Sequence, residues 1–365
     1  MAHYCSILPP HLLKHIIDSP LTSPPTLIAA QKTYDHVCRV QDNRVAKDYA
    51  QYHVRHGFAA EAKATTHQVY RKIYTSAKTN DLEKILLFEE GAPLPVVNKD
   101  HDARNVYDFF GKTYQFYNEV YKAEHTSHSL FIFDDAPGPP GFDNAFFDGK
   151  EMAFGDGDGD VFGTFTKNVD VIGHELTHGV TQWTADLVYE YQSGALNESM
   201  SDVFGSMIKQ YFPKTLAEDA DWLIGEGIFL PSVKNARALR SMRAPGTAYN
   251  NPKIGKDPQP ATMDDYQDLP LSRDRGGVHI NSGIPNYAFY LASTSLGGYS
   301  WDKAGRVWYA ALTDRSLKSV DSGAAFKAFA NLTIKHAGIL FDEDTQATVR
   351  QAWIDVKVLD GRDEL

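Results

Sequence analysis

A chain of 365 residues with 42% hydrophobic and 23% charged residues is long enough to form two or three lobes of a globular protein. Its formal net charge of −11 argues against nucleic acid and anionic membranes as partners, because both attract basic surfaces. The sequence contains no apolar run of the about 18 residues that a membrane-spanning helix needs. The two cysteines, Cys5 and Cys38, leave the redox compartment open.

The first apolar stretch, Ile7–Ile17 "ILPPHLLKHII", has the position of a secretory signal but not its chemistry. Pro9, Pro10, His11 and Lys14 interrupt the run, whereas a signal peptide has an uninterrupted apolar centre. We therefore expect synthesis in the cytoplasm without a signal peptide, with export by a non-classical route left open. The final "RDEL" resembles an endoplasmic reticulum retention address, which is read only after entry into that compartment, so whether it is read also stays open.

The chain-order pattern predicts a small N-terminal segment, a sheet-rich half and a helical half joined near residue 189. Residues 1 to about 50 form the segment, which ends in the polar stretch Asp42–Arg55. "QVYRKIY" and "SLFIFDD" are strand candidates, and "NVYDFFGKTYQFYNEVY" between them has helical spacing. After the Gly/Asp-rich loop Gly155–Asp160, the predicted helices are Asp170–Trp183, Glu198–Tyr211, Ile284–Ser295 and Ala324–Ala337.

The first chemical signal is "HELTH" at residues 174–178. On a helix, His174 and His178 lie four residues apart and project from one face, where both can bind one zinc ion. Glu175 then lies beside the metal and can accept a proton from bound water. The alternative is a helix whose histidines only pack against neighbours.

A third ligand is available twenty residues later, in "NESMSD" at Asn197–Asp202. On a second helix, Glu198 and Asp202 share a face, so one carboxylate can bind the metal while the other reaches the free ring nitrogen of a histidine. Asn197 can serve the other histidine in the same way. The alternative is a solvated acidic helix start with Asn197 near the cap.

Together, "HELTH", "GALNESMSD" and "GGVHINSG" resemble the three signatures of the thermolysin family of zinc metalloendopeptidases, and the similarity extends from about Val69 to the C-terminus. The resemblance implies an α+β fold in which a sheet-rich N-terminal lobe and a helical C-terminal lobe flank a zinc cleft. The implied domains are a propeptide at 1–50, with its boundary at about 42–60, a catalytic lobe at 60–188 and a helical lobe at 189–365.

The resemblance also assigns the catalytic residues. It implies one zinc ion held by His174, His178 and Glu198, with Glu175 as general base and Asp202 and Asn197 supporting the histidines. It further implies that His279 and Tyr189 stabilise the negative charge that develops on the carbonyl oxygen, and that Asp274 orients His279. Without the family, both would be weak candidates, because a lone tyrosine such as Tyr189 is more often a core aromatic.

The substrate contacts implied by the family come from three parts of the chain. Asn144 matches the residue that binds the substrate backbone, Ala145 is an edge-strand carbonyl partner, and Arg240 grips the carbonyl beyond the scissile bond. One departure from the family is Asp143, where members often have a second asparagine. The implied pocket is apolar and predicts cleavage on the N-terminal side of bulky hydrophobic residues; its residues are Val171, Leu239, Ile224, Phe162, Phe165 and Ile228. For any one of them, a plain core position is the alternative.

The calcium sites of the family are expected to be lost. Asp170, Asp221 and Glu226 match calcium-binding acids, but Lys209 and Leu223 replace two further ligands. An ammonium group among the acids repels a cation and can pair with them instead. We therefore predict that Lys209 bridges these acids.

The N-terminal segment resembles the short propeptides of the protealysin-like members of the family, through "PPHLL" at Pro9–Leu13. The resemblance predicts an inhibitory prodomain in which Pro9 and Pro10 hold an extended backbone and Leu12 or Leu13 fills the apolar pocket. Two alternatives are an amphipathic helix packed elsewhere and ligation of the zinc by Cys5.

The expected function is that of a neutral zinc endopeptidase made as a zymogen, acting through zinc-activated water. Its expected partners are protein and peptide substrates, its own propeptide in cis and a protein inhibitor. A non-catalytic zinc-binding or peptide-binding protein is the alternative from another class, although Glu175, Tyr189 and His279 are all present. A zinc aminopeptidase is the nearest enzymatic alternative, but we find no anchor for a free amine.

Overall fold

The computed structural model describes residues 5–38, 71–76, 85–92, 101–123, 130–134, 141–147 and 151–361. It confirms the α+β fold, with strands concentrated before residue 155 and helices dominating the remainder. The predicted propeptide boundary at 42–60 lies outside the described residues. Among the described residues, no helix is long and apolar enough to cross a membrane.

A six-stranded mixed sheet forms the N-terminal lobe, in the order β1-β5-β6-β4-β2-β3. The two inner pairs, β6–β4 and β4–β2, are parallel, and the other pairs are antiparallel. Both strands expected from alternating β-branched and aromatic residues are present, as β2 and β4. The strands are β1 Cys5–Ser6, β2 Arg71–Thr75, β3 Ile85–Glu89, β4 Leu130–Asp134, β5 Ala145–Phe147 and β6 Glu151–Phe154.

The C-terminal lobe is mostly helical. It also contains two short hairpins, one of which includes Arg240. Its core is dense in aromatic side chains, including Trp222, Trp308 and Trp353, all almost fully buried. The helices are α1 Pro10–Asp18, α2 at 24–38, α3 His101–Tyr121, α4 Val169–Trp183, α5 Tyr191–Tyr211, α6 Asp274–Asn281, α7 Gly283–Leu296, α8 Ala304–Leu312, α9 Ala325–Leu340 and α10 Glu343–Asp355. The hairpin strands are β7 Leu223–Ile224, β8 Arg240–Ser241, β9 Asn250–Asn251 and β10 Gly255–Lys256.

Helices α4 and α5 pack closely because glycine occupies the contact on each. A Cβ added to Gly205 of α5 would lie 2.5 Å from the carbonyl oxygen of Asp170, and one added to Gly173 of α4 would lie 2.8 Å from the side chain of Ile208. Neither distance is compatible with a normal van der Waals contact. The two glycines therefore bring the "HELTH" helix and the "NESMSD" helix together.

Helix α5 begins at Tyr191, seven residues before the predicted start at Glu198. The alternative of an acidic helix start is therefore wrong, because Asn197 and Glu198 lie inside the helix and are buried. This helix is buried on nearly all sides. Its sequence therefore lacks the separate polar and apolar faces from which the extent of a helix can be recognised.

The N-terminal segment docks on the sheet and on the C-terminal lobe. Strand β1 adds to the free edge of β5, with Cys5 opposite Phe147. Pro9 is extended, with φ −73° and ψ 142°, but Pro10 to Leu13 form the start of α1. The expectation of an extended backbone over both prolines is therefore wrong for Pro10, because proline at the first helical position favours a helix.

Candidate active site

Three side chains from α4 and α5 converge on one point. The Nε2 atoms of His174 and His178 lie 3.0 Å apart, as their spacing of one helical turn dictates. The carboxylate oxygens of Glu198 lie 3.5 Å from Nε2 of His174 and 3.4 Å from Nε2 of His178. All three residues are buried, so the atoms of the predicted ligand set face each other away from solvent.

The opposite ring nitrogens are held by the residues that the sequence suggested. Nδ1 of His174 lies 2.8 Å from Oδ1 of Asp202, and Nδ1 of His178 lies 2.8 Å from Oδ1 of Asn197. A carboxylate and an amide oxygen can only accept hydrogen bonds, so both Nδ1 atoms carry the proton. With the proton on Nδ1, the neutral form of each ring presents its Nε2 lone pair to the convergence point, as a zinc ligand must.

Two further residues support this arrangement and were not found from the sequence. The hydroxyl of Ser201 lies 3.0 Å from Nδ1 of His178, and the side-chain amide of Asn286 donates to Asp202 at 2.8 Å. Ser201 lies inside the "NESMSD" motif, so that motif was a signal for it. Nothing in the sequence around Asn286 marks it as part of the site.

The residues fit a zinc ion. Two imidazoles and one carboxylate are a ligand set of catalytic zinc, which leaves the fourth position open. Among the described residues, no hydrogen bond reaches Oε2 of Glu198, although this oxygen is buried. A buried charged oxygen without a hydrogen bond is costly unless a cation neutralises it.

The charges in the site depend on burial. Burial raises the pKa of Glu175 to about 8, because it removes water from the carboxylate. Burial also lowers the pKa of His178 to about 3, which keeps that ring neutral. For His174 burial acts in the same direction, but the carboxylates of Asp202 and Glu198 outweigh it and raise the pKa to about 9. A bound cation would oppose that rise.

On the other side of the convergence point lies His279, positioned by a reversal of the chain. Arg275, Gly276 and Gly277 have positive φ values of 52°, 85° and 87°, so the chain turns back and Asp274 meets His279. Oδ1 of Asp274 lies 2.5 Å from Nδ1 of His279, and Oδ2 accepts from its backbone amide at 2.9 Å. Burial would lower the pKa of His279, but Asp274 raises it to about 9.

Tyr189 completes this side. Its hydroxyl donates to Oε1 of Glu198 and lies 3.3 Å from Nε2 of His279. Tyr189 is buried, so it is also packed like a core aromatic. The polar end of its ring nevertheless reaches the point where the predicted ligands meet.

Backbone groups of the N-terminal segment contact all three predicted substrate binders. The amide of Ile7 donates to the carbonyl of Ala145 at 3.0 Å, and the amide of Leu8 donates to Oδ1 of Asn144 at 3.0 Å. Arg240 donates to the carbonyl of Ile7 at 2.8 Å. The contacts at the site therefore come from residues just before the "PPHLL" element.

Arg240 is also tied to the site from behind. Its guanidinium donates to both oxygens of Asp202, at 2.7 and 2.8 Å, and the pair is buried. A planar guanidinium matches a carboxylate in this two-point geometry. Asp202 therefore joins His174 to Arg240 through one carboxylate.

The apolar residues predicted to line the pocket are all buried. Three of them meet around Gly225, beside Arg240. A Cβ on Gly225 would lie 3.1 Å from Leu239 and 3.6 Å from Val171, and the amide of Leu239 donates to the carbonyl of Ile224. Phe162, Phe165 and Ile228 are equally buried, and the Phe162 and Phe165 rings lie 5.7 Å apart.

At the predicted calcium position, Lys209 reaches the acids. Its Nζ atom lies 2.7 Å from Asp221, 3.8 Å from Asp170 and 3.9 Å from Glu226. It also donates to the carbonyl of Leu223 at 3.4 Å. The ammonium group thus occupies the space between the oxygen ligands that a cation would use.

Comparison with known proteins gives the same class. The family model for the thermolysin metallopeptidase catalytic domain matches residues 33–182, and that for the thermolysin metallopeptidase alpha-helical domain matches residues 185–358. Protease PrtS of Photorhabdus sp. is 39% identical over 98% of this chain and 92% of its own length. An extracellular metalloprotease of Pectobacterium carotovorum is 40% identical over 97% of this chain and 96% of its own.

A solved structure is similar over the whole fold. It is the precursor of protealysin, a metalloproteinase from Serratia proteamaculans, with a TM-score of 0.83 and 41% identity over 97% of this chain and 100% of that one. The fold and the site define a metallopeptidase. The chain belongs to the thermolysin metallopeptidase family, with the protealysin-like members among its relatives, and it is a metalloendopeptidase.

Proposed function

We propose that this zinc endopeptidase cuts peptide bonds on the N-terminal side of bulky hydrophobic residues and is made as a zymogen. The observation that carries the proposal is the convergence of His174, His178 and Glu198 beside the buried Glu175. When bound there, a zinc ion supplies a Lewis acid that polarises a peptide carbonyl and makes water acidic near neutral pH.

Glu175 is the general base. Its carboxylate is buried next to the first ligand, where the backbone of Ile7 in the docked segment is close enough to oppose the burial-driven rise of its pKa. It would accept the proton of the attacking water and pass it to the leaving nitrogen.

His279 and Tyr189 stabilise the oxygen that becomes negative. Because Asp274 accepts from Nδ1 of His279 and the carbonyl of Ser6 lies 2.8 Å from Nε2, both nitrogens of this ring donate. A cationic imidazole aimed at a peptide carbonyl supports the role of an oxyanion donor. Tyr189 adds a hydroxyl donor on the same side.

Strand β1 marks the path of a substrate. The backbone of Ser6, Ile7 and Leu8 contacts His279 and then the three predicted substrate binders, in the order Ala145, Arg240 and Asn144. This order supports an alignment of the Ser6–Ile7 bond like that of a scissile bond. Ile7, a bulky apolar residue, then stands directly after that bond, which agrees with the proposed specificity.

The N-terminal segment acts as the inhibitory propeptide. It closes the edge of β5 that an extended substrate needs, and it covers the site with buried side chains that include Ile7, Leu8, Leu12 and Leu13. Backbone contacts support Ile7, rather than Leu12 or Leu13, as the residue next to the catalytic groups. Removal of the segment is therefore required before substrates can enter.

We also propose that the double calcium site is lost. Lys209 holds the positive charge that calcium would otherwise supply to Asp170, Asp221 and Glu226. We propose separately that the protein is exported from the cytoplasm. The Pectobacterium relative is named an extracellular metalloprotease, which supports export.

Cleavage mapping on blocked peptides tests the activity. The matched pair carries an acetylated N-terminus and an amidated C-terminus and differs only in one residue, Leu or Asp. We expect the propeptide-free enzyme to cut on the amino side of Leu and to leave the Asp peptide intact. Cleavage of the Leu peptide only when its N-terminus is left unblocked would show an aminopeptidase, and binding without cleavage would show a non-catalytic peptide-binding protein.

A further inference from the structure

The sulfur of Cys5 lies at the metal centre. Sγ of Cys5, a nitrogen of His178 and a carboxylate oxygen of Glu198 all lie within 4.8 Å of one another, and the three residues are buried. A single ion can bridge ligand atoms at this spacing, and thiolate is a preferred ligand of zinc. Cys5 is 1% exposed and forms no disulfide.

A second observation points to a ligand at the same place. Oε2 of Glu198 is buried and receives no hydrogen bond from the described residues, although it faces the imidazoles of both His174 and His279, at 3.5 and 3.7 Å. A buried carboxylate oxygen that accepts no hydrogen bond can bind a metal ion. The cation would lie within reach of the sulfur, because Glu198 belongs to both groups of atoms.

The Ser6–Ile7 bond lies in the site like a substrate bond, so the precursor needs a means of protecting it. The carbonyl of Ser6 contacts His279, and the amide and carbonyl of Ile7 contact Ala145 and Arg240, so the Ser6–Ile7 bond is aligned as a substrate bond. Ile7 is also a bulky hydrophobic residue, of the kind that the apolar pocket is expected to accept. The precursor must nevertheless keep this bond intact to stay inhibited.

We propose that Cys5 is a ligand to the zinc ion in the precursor and thereby protects the Ser6–Ile7 bond. This inference rests on the proposed function. A thiol loses its proton when it binds zinc, so ligation releases one proton and fills the position that the attacking water needs. With that position filled, Glu175 has no water to deprotonate, and the aligned bond is not hydrolysed.

Departure of the propeptide opens the site by the same chemistry. Cys5 lies on the two-residue strand β1, which is held to the enzyme through β5 and the contacts of Ser6 to Leu8. When the segment leaves, the sulfur leaves with it, takes up a proton and makes the fourth position available. One docking event thus blocks both the substrate path and the metal.

Zinc X-ray absorption on the precursor tests ligation directly. In the Cys38→Ser background, Cys5 is the one remaining thiol of the chain, so any sulfur signal reports on it. We expect a zinc–sulfur distance of about 2.3 Å in addition to nitrogen and oxygen at about 2.0–2.2 Å. Cobalt substituted for zinc should show a thiolate-to-metal charge-transfer band, which Cys5→Ser abolishes.

The outcomes separate this inference from the proposed function. Stoichiometric zinc with nitrogen and oxygen neighbours but no sulfur would overturn the role of Cys5 and leave the catalytic centre standing. Failure to take up zinc would overturn both. Because the first measurement uses a precursor with Cys5 intact, it does not depend on whether a Cys5 variant folds.

The protective role has its own readout. Intact-mass analysis of Cys5→Ala precursor should show loss of residues 1–6, through a cut between Ser6 and Ile7. The same loss should be absent from Cys38→Ala and from the double variant Cys5→Ala/Glu175→Gln. Zinc-loaded Cys5→Ala that keeps the Ser6–Ile7 bond would overturn the protective role.

Discussion

Gly205→Ala should separate the two helices that carry the proposed zinc ligands. The added Cβ would lie 2.5 Å from the carbonyl oxygen of Asp170 and 3.3 Å from the amide nitrogen of His174, so the obstacle is backbone and cannot rotate away. We place the cost at the upper end of overpacking, about 3 kcal/mol, and subtract about 1 kcal/mol for the better helix propensity of alanine. The net destabilisation is about 2 kcal/mol, or roughly 4–8 °C in Tm.

Gly179→Ala is the matched control. It is also a helical glycine, on α4, but its added Cβ would lie 3.7 Å from the ring of Phe147, an ordinary contact. We expect no destabilisation and a gain of up to about 1 kcal/mol. Calorimetry with saturating zinc measures both variants, and competition with a chelator measures zinc affinity, which should fall for Gly205→Ala because Glu198 moves with α5. Equal stability of the two variants would refute this account of the helix contact.

Three further outcomes follow from the same structure. Ile7→Ala should raise the activity of the precursor tenfold or more, since truncating a buried isoleucine weakens the docking of the segment by about 2–5 kcal/mol. Ile28→Ala, at a residue that is 49% exposed, should leave the precursor inactive; equal latency of the two variants would contradict this. Isothermal calorimetry should show no tight calcium uptake by the zinc-loaded enzyme but measurable uptake by Lys209→Asp; tight uptake by the wild type would exclude charge replacement by Lys209. Zinc removal should lower Tm by several degrees, because a ligand at a thousand times its Kd contributes about 4 kcal/mol; an unchanged Tm would contradict binding to the folded state alone.

The convergence of the proposed zinc ligands was predictable because the spacing that produces it is local. A spacing of four residues puts His174 and His178 on one face of any helix, and Glu198 and Asp202 repeat the same spacing on the next. The structure brings these four residues together through the contacts of two glycines, Gly173 and Gly205, which no spacing in the motifs reveals. Their role depends on what lies opposite them in the folded chain.

The features that sequence reasoning missed depend on tertiary contacts. Strand β1 has two residues, too few for an alternating pattern, and exists because β5 offers it an edge. Asn286 reaches Asp202 across 84 positions of the chain. Pro10 was expected to extend the chain, but a proline fits the first turn of a helix as well as it fits an extended segment, so the pair of prolines alone could not decide.

Activation of water by Glu175 at a zinc centre held by His174, His178 and Glu198 is tested by comparing propeptide-free wild type with Glu175→Gln. Zinc content and the digestion of a casein-like substrate are measured on the same samples. We expect one zinc ion per chain in both proteins and endoproteolysis in the wild type alone, since glutamine keeps the shape of the side chain but cannot take the proton. Wild-type rates in zinc-loaded Glu175→Gln would contradict it.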